Sequence, residues 1–151
     1  RWTDPDGWHV TLAFIGSTAA ASANALVERL VPVAEGHAVM SVRTGGLGAF
    51  PTPAHARVAW YGIVDGEDRL ARLARDIAIA LDLDAPQPLR PHLTVGRARR
   101  PVDVRPWLTS ASAPEGVLEI DRIALMRSHL GGGPARYETL ATAPLGVPAR
   151  V

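Results

Sequence analysis

Between Trp8 and Ile15 the chain alternates, His9 and Thr11 falling to one side and Val10, Leu12 and Phe14 to the other, which is the two-residue period of a strand. The turn-forming run Asp4-Pro5-Asp6-Gly7 introduces it. From Ser17 or Thr18, either able to cap a helix, Leu26, Val27, Leu30 and Val31 recur at helical spacing to about residue 34, and Pro32 predicts a kink or an end near Val31. Residues 37–44 alternate again as a strand, which Gly45-Gly46-Leu47-Gly48 is expected to break, and 56–63 form another around Val58, Trp60 and Ile63.

The clearest helix follows. Asp65 stands as its N-cap, Glu67 and Asp68 suit the positive end of its dipole, and Leu70, Leu73, Ala74, Ile77, Ala80 and Leu81 make one apolar stripe. Arg69, Arg72, Arg75 and Asp76 fill the other face, as a solvated surface does. Ala85-Pro86-Gln87-Pro88 reads as a stiff connector into a strand at about 91–97. A short helix over 103–109 comes next, then strands near 117–127 and 136–142 that flank a hairpin loop at Gly131-Gly132-Gly133-Pro134. Strands alternate with helices but lack the long apolar runs of a parallel sheet, so the pattern predicts an α+β fold of antiparallel sheets with helices outside.

One pattern occurs twice. His9-Val10-Thr11-Leu12 returns as His92-Leu93-Thr94-Val95, each in a short apolar run closed by glycine, at Gly16 and Gly96. With five histidines in the chain, two such quartets would arise by chance on the order of once in a few thousand sequences of this composition. Each copy offers an imidazole and a hydroxyl on one face and apolar anchors on the other. Two copies far apart in sequence predict two similar half-domains facing each other across a cleft.

Composition narrows the chemistry. At 151 residues, 47% hydrophobic and 21% charged, the chain suffices for one domain with a core. No run approaches the ~18 apolar residues of a membrane span, and no basic-then-apolar leader is seen, so the expectation is a cytoplasmic protein without a membrane. The absence of cysteine removes disulfides, thiolate metal sites and a cysteine nucleophile. A net charge of +1 gives no field for a long nucleic acid, which leaves short or terminal pieces as partners. Every one of the 16 basic residues is arginine, but alanine, glycine and proline are abundant too, so GC-rich coding explains the arginines as a class. The first residue, Arg1, is not methionine, from which a processed or truncated product is expected.

Two imidazoles facing each other near neutral pH, where the free side chain titrates at about 6.5, form an acid–base pair: one takes a proton from an attacking group and the other gives one to the leaving group. Thr11 and Thr94 suit donation to nonbridging phosphoryl oxygens. Arg97, expected on a turn three residues past Thr94, matches anionic charge there. Such a site handles its protons without a divalent ion, and its natural substrate is a strained ester such as a cyclic phosphodiester. A metal site is disfavoured because His-x-Thr is not ligand spacing and neither copy brings a carboxylate.

The paired quartets resemble the His-x-Thr-x motifs of the 2H phosphoesterase superfamily. Arg1-Trp2, Ala13-Phe14-Ile15-Gly16, Gly45 to Pro51, Arg57-Val58-Ala59-Trp60, Pro91 to Arg97 and Ser128 to Tyr137 further resemble the RNA 2′,3′-cyclic phosphodiesterases, also called 2′-5′ RNA ligases. The resemblance implies a bilobal pseudo-twofold α+β fold, antiparallel sheets lining a central cleft, one motif per lobe. It also implies metal-independent hydrolysis of RNA-type 2′,3′-cyclic phosphate ends to 2′-phosphate, with weak reversible 2′-5′ ligation in some members. His9 would be the general acid and His92 the general base. Thr11, Thr94 and Arg97 would hold the phosphate, no cofactor is expected, and the chain would act as a monomer on RNA ends or nucleotides. The strand and helix that usually precede the segment matching Arg1-Trp2 are missing from this sequence, which predicts an unpaired sheet edge. The alternative is a non-catalytic nucleotide or RNA-end binding module with the same pocket. His37, His55 and His129 read as surface histidines, with His129 able to approach a ligand through the glycine loop. Arg99 and Arg100 read as solvated, while Phe50, Trp60 and Tyr137 read as core with base stacking as the alternative.

Overall fold

The computed structural model describes residues 1–84, 89–129 and 136–146. Among them run three helices and six strands: α1 (Ala23–Glu35), β1 (Met40–Phe50), β2 (Ala56–Asp65), α2 (Glu67–Ala80), β3 (His92–Val102), α3 (Arg105–Ser110), β4 (Gly116–Ile120), β5 (Arg122–His129) and β6 (Arg136–Pro144). One sheet has the order β3-β2-β1-β4, and β5 and β6 make a two-stranded sheet, so the α+β expectation holds. The expected connector Ala85-Pro86-Gln87-Pro88 and the hairpin loop at Gly131-Gly132-Gly133-Pro134 lie outside the described residues.

The chain divides into two compact units. The first comprises Arg1–Thr11, Val42–Glu67 and Arg90–Leu118; the second takes the described residues of Leu12–Ser41, Asp68–Leu89 and Glu119–Val151. Both histidine quartets begin in the first unit, where the repeat predicts one in each of two lobes. The reason is local: Val10 makes an antiparallel bridge to Leu93 and Trp2 another to Gly96, so the amino-terminal segment is fastened along β3. That segment is not the regular strand over 8–15 that its alternation predicts. Only isolated bridges form, and Phe14, expected on the apolar side, is 85% exposed.

In the first unit β1 runs straight through the glycines expected to end it. Register shifts at Arg43/Thr44 and Thr44/Leu47 absorb them as bulges, with Gly46 at a φ of +71° that favours glycine. Gly48 has a different reason to be small. It sits opposite Trp60 on β2, and a Cβ there would fall 2.0 Å from the indole. Val42, Ala49, Ala56, Ile63 and Leu93 supply buried apolar side chains, and the buried Thr44 hydroxyl is paired with the Tyr61 hydroxyl at 3.1 Å and the Gly116 carbonyl at 3.2 Å.

The second unit is more aliphatic. α1 starts later than its expected cap, after a short 3-10 turn over Ala20–Ser22, and it continues past Pro32 to Glu35. An internal proline costs a helix about 3 kcal/mol. Burial of Leu30 and Ala34, on a helix packed against β5 and β6, offsets that cost, and Gly36 N–H closes the end on the Pro32 and Val33 carbonyls. α2 buries Leu70, Leu73, Ala74, Ile77 and Ala78; the first four and Leu81 just beyond the helix are as its periodicity predicts, while Ala78 is buried in place of the expected Ala80. Its polar face is not merely solvated: Arg69 donates to the Ser41 carbonyl at 2.6 Å and Asp76 accepts from His37 at 2.8 Å. No helix among the described residues is long and apolar enough to cross a membrane.

Candidate functional site

The site is built around the bridge between Val10 and Leu93. Paired residues in an antiparallel ladder share a face, and neighbours alternate. Val10 and Leu93 therefore point together to the apolar side, where Leu93 is buried, and His92 and Thr94, flanking Leu93 in β3, take the opposite side. The bridge thus brings the chain at His9 and Thr11, on either side of Val10, alongside β3 at His92 and Thr94, on either side of Leu93. All four side chains are half-buried.

The two rings are oriented alike. His9 Nδ1 lies 2.9 Å from the Gly7 carbonyl and His92 Nδ1 lies 2.6 Å from the Arg90 carbonyl, in each case the residue two positions back. A carbonyl only accepts, so Nδ1 carries the hydrogen in both rings and proton exchange falls to Nε2. Gly7 is presented by a 3-10 turn over Pro5–Gly7, capped by the Asp4 carboxylate, which accepts from Asp6 N–H at 3.1 Å. Arg90 leads into Pro91, whose carbonyl accepts from Ile63 N–H at 3.2 Å and fastens that turn to β2.

Arg97 belongs to β3 itself, not to a turn as its distance from Thr94 suggests. Three residues along a regular strand would put it on the wrong face. The register resolves this: Thr94 pairs with Trp60, Gly96 with Ala59 and Arg97 with Val58, so Val95 is an extra residue that reverses the alternation. Val58 and Trp60 share a face, and so then do Arg97 and Thr94. Arg97 is exposed on that face, while Arg99 and Arg100 beyond it are exposed as expected.

The aromatic residues near the second quartet form a wall. The Phe50 ring meets His92 edge-on, at 5.2 Å and 72°, Trp60 lies 6.0 Å from His92, and Phe50 and Trp60 are 5.4 Å apart. Gly62 is the cross-strand partner of His92, and a Cβ there would meet the Gly45 carbonyl at 2.8 Å and the Trp60 ring at 3.3 Å. Trp60 Nε1 is buried without a hydrogen-bond partner. The core reading of Phe50 and Trp60 therefore extends to contact with an imidazole, which sequence reasoning missed; the registers that align Phe50, Trp60 and His92 are not written in any one motif.

Two of the other three histidines have carboxylate partners. His37 is only 12% exposed at its side chain and pairs with Asp76, not a surface histidine as expected, while His129 Nε2 lies 2.9 Å from the Glu138 carboxylate on the neighbouring strand. That contact holds the Glu138 carboxyl below its usual range. Tyr137 pairs across the hairpin with Ser128. Among the described residues no three side chains of metal-ligating type converge.

Comparison with known proteins identifies the family. The family model of the 2′-5′ RNA ligase superfamily matches residues 6–132. The RNA 2′,3′-cyclic phosphodiesterase of Geobacillus stearothermophilus is 31% identical over 151 residues, covering 95% of this chain and 47% of the relative. That of Aquifex aeolicus is 31% identical over 78 residues, 52% of this chain and 42% of the relative. The enzyme of the same name from Aeropyrum pernix is 28% identical over 148 residues, 93% of this chain and 83% of the relative. The chain thus spans less than half the length of the first two. Among solved structures, a Thermus thermophilus protein matches with a TM-score of 0.72 at 22% identity, over 98% of this chain and 83% of that one. Escherichia coli LigT complexed with 3′-AMP also matches at 0.72, at 21% identity, over 96% and 80%. The α+β fold is the one shared with these structures, and the chain belongs to the 2′-5′ RNA ligase superfamily.

Proposed function

We propose that the chain hydrolyses RNA-type 2′,3′-cyclic phosphate ends to the 2′-phosphate, using His9 and His92 as an acid–base pair. The observation that carries this reading is the pair of imidazoles adjoining the Val10–Leu93 bridge, each with Nδ1 on the backbone carbonyl two residues before it. Water attacks phosphorus while His92 Nε2 takes its proton. The bond from phosphorus to the 3′ oxygen breaks as His9 Nε2 gives that oxygen a proton, leaving a 3′ hydroxyl and a 2′-phosphate. Thr11 and Thr94 donate to the nonbridging oxygens, and Arg97, brought to their face by the Val95 bulge, offsets the charge that builds there. The relatives named RNA 2′,3′-cyclic phosphodiesterase support the substrate class. All five residues come from one compact unit of one chain, which supports action as a monomer.

Turnover of a nucleoside 2′,3′-cyclic phosphate in chelator tests this directly. His9→Ala and His92→Ala are each expected to lower kcat by roughly 10³-fold, within the usual range for a positioned acid or base. Undiminished turnover in either variant sinks the assignment. Tight binding of a 2′-phosphate nucleotide by a wild-type chain that forms no product would replace it with the binding-module reading.

A further inference from the structure

The amino-terminal segment and β3 change register between their two bridges. Trp2 pairs with Gly96 and Val10 with Leu93, so eight steps on one side answer three on the other. The surplus leaves as the loop that contains the capped turn Pro5–Gly7, whose last carbonyl orients His9. Thr3 and Trp8 stand at the neck of that loop. Trp8 Nε1–H donates to Thr3 Oγ1 at 3.0 Å, and Thr3 Oγ1 donates to the Thr94 carbonyl at 2.8 Å, while Thr3 N–H reaches the Val95 carbonyl at 3.0 Å.

We infer that Thr3 is a positioning residue: its hydroxyl closes the loop that delivers His9 and fastens it to the backbone of Thr94, holding the two quartets in register. An indole N–H only donates and a carbonyl only accepts, so the group between them must do both. A hydroxyl does, and both hydrogen bonds are then fixed in direction. Trp8 precedes His9 directly, and the Thr94 carbonyl belongs to the second quartet itself. The one group is therefore joined to both halves of the site without lying on its reacting face. The inference rests on the phosphodiesterase reading for its consequence in turnover but not for its geometry.

Thr3→Val keeps the shape and loses both bonds, Thr3→Ser keeps both, and Trp8→Phe removes the indole donor alone. With the cyclic nucleotide as substrate, Thr3→Val is expected to lower kcat about tenfold with KM within about twofold, as displacement of a proton-transfer group does. In protein labelled with ¹⁵N at histidine and tryptophan, Thr3→Val should shift the His9 ring nitrogens and speed exchange of the Trp8 indole hydrogen. Trp8→Phe should reproduce the His9 shift, and Thr3→Ser should restore both readouts. Unchanged His9 and Trp8 signals in Thr3→Val overturn the inference even if the wild-type chain turns nothing over. Changed signals with full turnover overturn it as well, since the clamp would then position nothing that matters. A wild-type chain without turnover whose His9 signals still move removes the phosphodiesterase reading and leaves the clamp standing.

Discussion

The two quartets have the same residues and unlike supports. His92 and Thr94 sit in an eleven-residue strand, paired along β2, with Phe50 and Trp60 against the imidazole. His9 and Thr11 have no strand of their own; the bridge at Val10, a capped turn and the hydrogen bonds at the loop neck support them. The one feature repeated in both is the backbone carbonyl two residues before each histidine. Ring orientation is thus set by local chain geometry in both copies, whereas the rigidity behind it comes from tertiary packing in one and from turn chemistry in the other. Equivalent residues in a repeat need not be equally robust.

Gly48→Ala breaks the packed side and should have the largest effect. The added Cβ overlaps the Trp60 indole, and overpacking of this kind costs about 3 kcal/mol. The loss should appear as a lower denaturant midpoint, together with displaced His92 ring resonances and unmoved His9 ones. Combination with Trp60→Leu, which has no indole to overlap, should recover part of it. A Gly48→Ala chain as stable as the wild type would show that Trp60 can shift freely and that the aromatic wall does not hold His92.

Asp4→Ala acts on the other side. The carboxylate caps the turn that presents the Gly7 carbonyl, and loss of such a cap costs about 1 kcal/mol. Most of that should be spent locally. The His9 ring nitrogens should move and turnover fall severalfold, while His92 and the unfolding midpoint change little. Equal movement of both rings would erase the contrast between the quartets, because it would mean that they share one support.

How far this was legible in the sequence follows from the same contrast. The two-residue alternation puts His92 with Thr94 on one face, as their pairing with β2 does, and the helical period of α2 picks out Leu70, Leu73, Ala74 and Ile77 but not Ala78. Alternation did not decide whether 8–15 is a strand, since that depends on a partner ladder that forms at Val10 alone. Gly45-Gly46-Leu47-Gly48 looked like a break because a sequence does not reveal that bulges and a facing tryptophan will accommodate glycine inside β1. Arg97 is expected on a turn for want of the Val95 bulge, which exists only in the pairing with β2. Thr3 carries no motif. Its role is visible only once Trp8 and the Thr94 carbonyl are seen on either side of it.

The smallest effect should come from acid, at the far end of β3. Asp103 follows that strand and accepts from the Arg105 guanidinium and backbone N–H, and these bonds lower its carboxyl from the ordinary value near 3.8 to about 2. A carboxyl that is more acidic folded than unfolded contributes stability in full above its unfolded value and loses it as pH falls through its folded one. The contribution should therefore be intact above about pH 4 and disappear towards pH 2, and the pair is exposed, so it should loosen α3 without unfolding the chain. Trp107, in α3 and 5.6 Å from Trp2, reports on this by fluorescence. Amide resonances of residues 92–94 should stay in place while that signal changes, because their support lies in β2 and the aromatic wall rather than in the strand's outgoing end. If they moved in step with Trp107, β3 would have to be treated as one rigid lever from Asp103 to His92, and the packed quartet would be the more easily disturbed of the two.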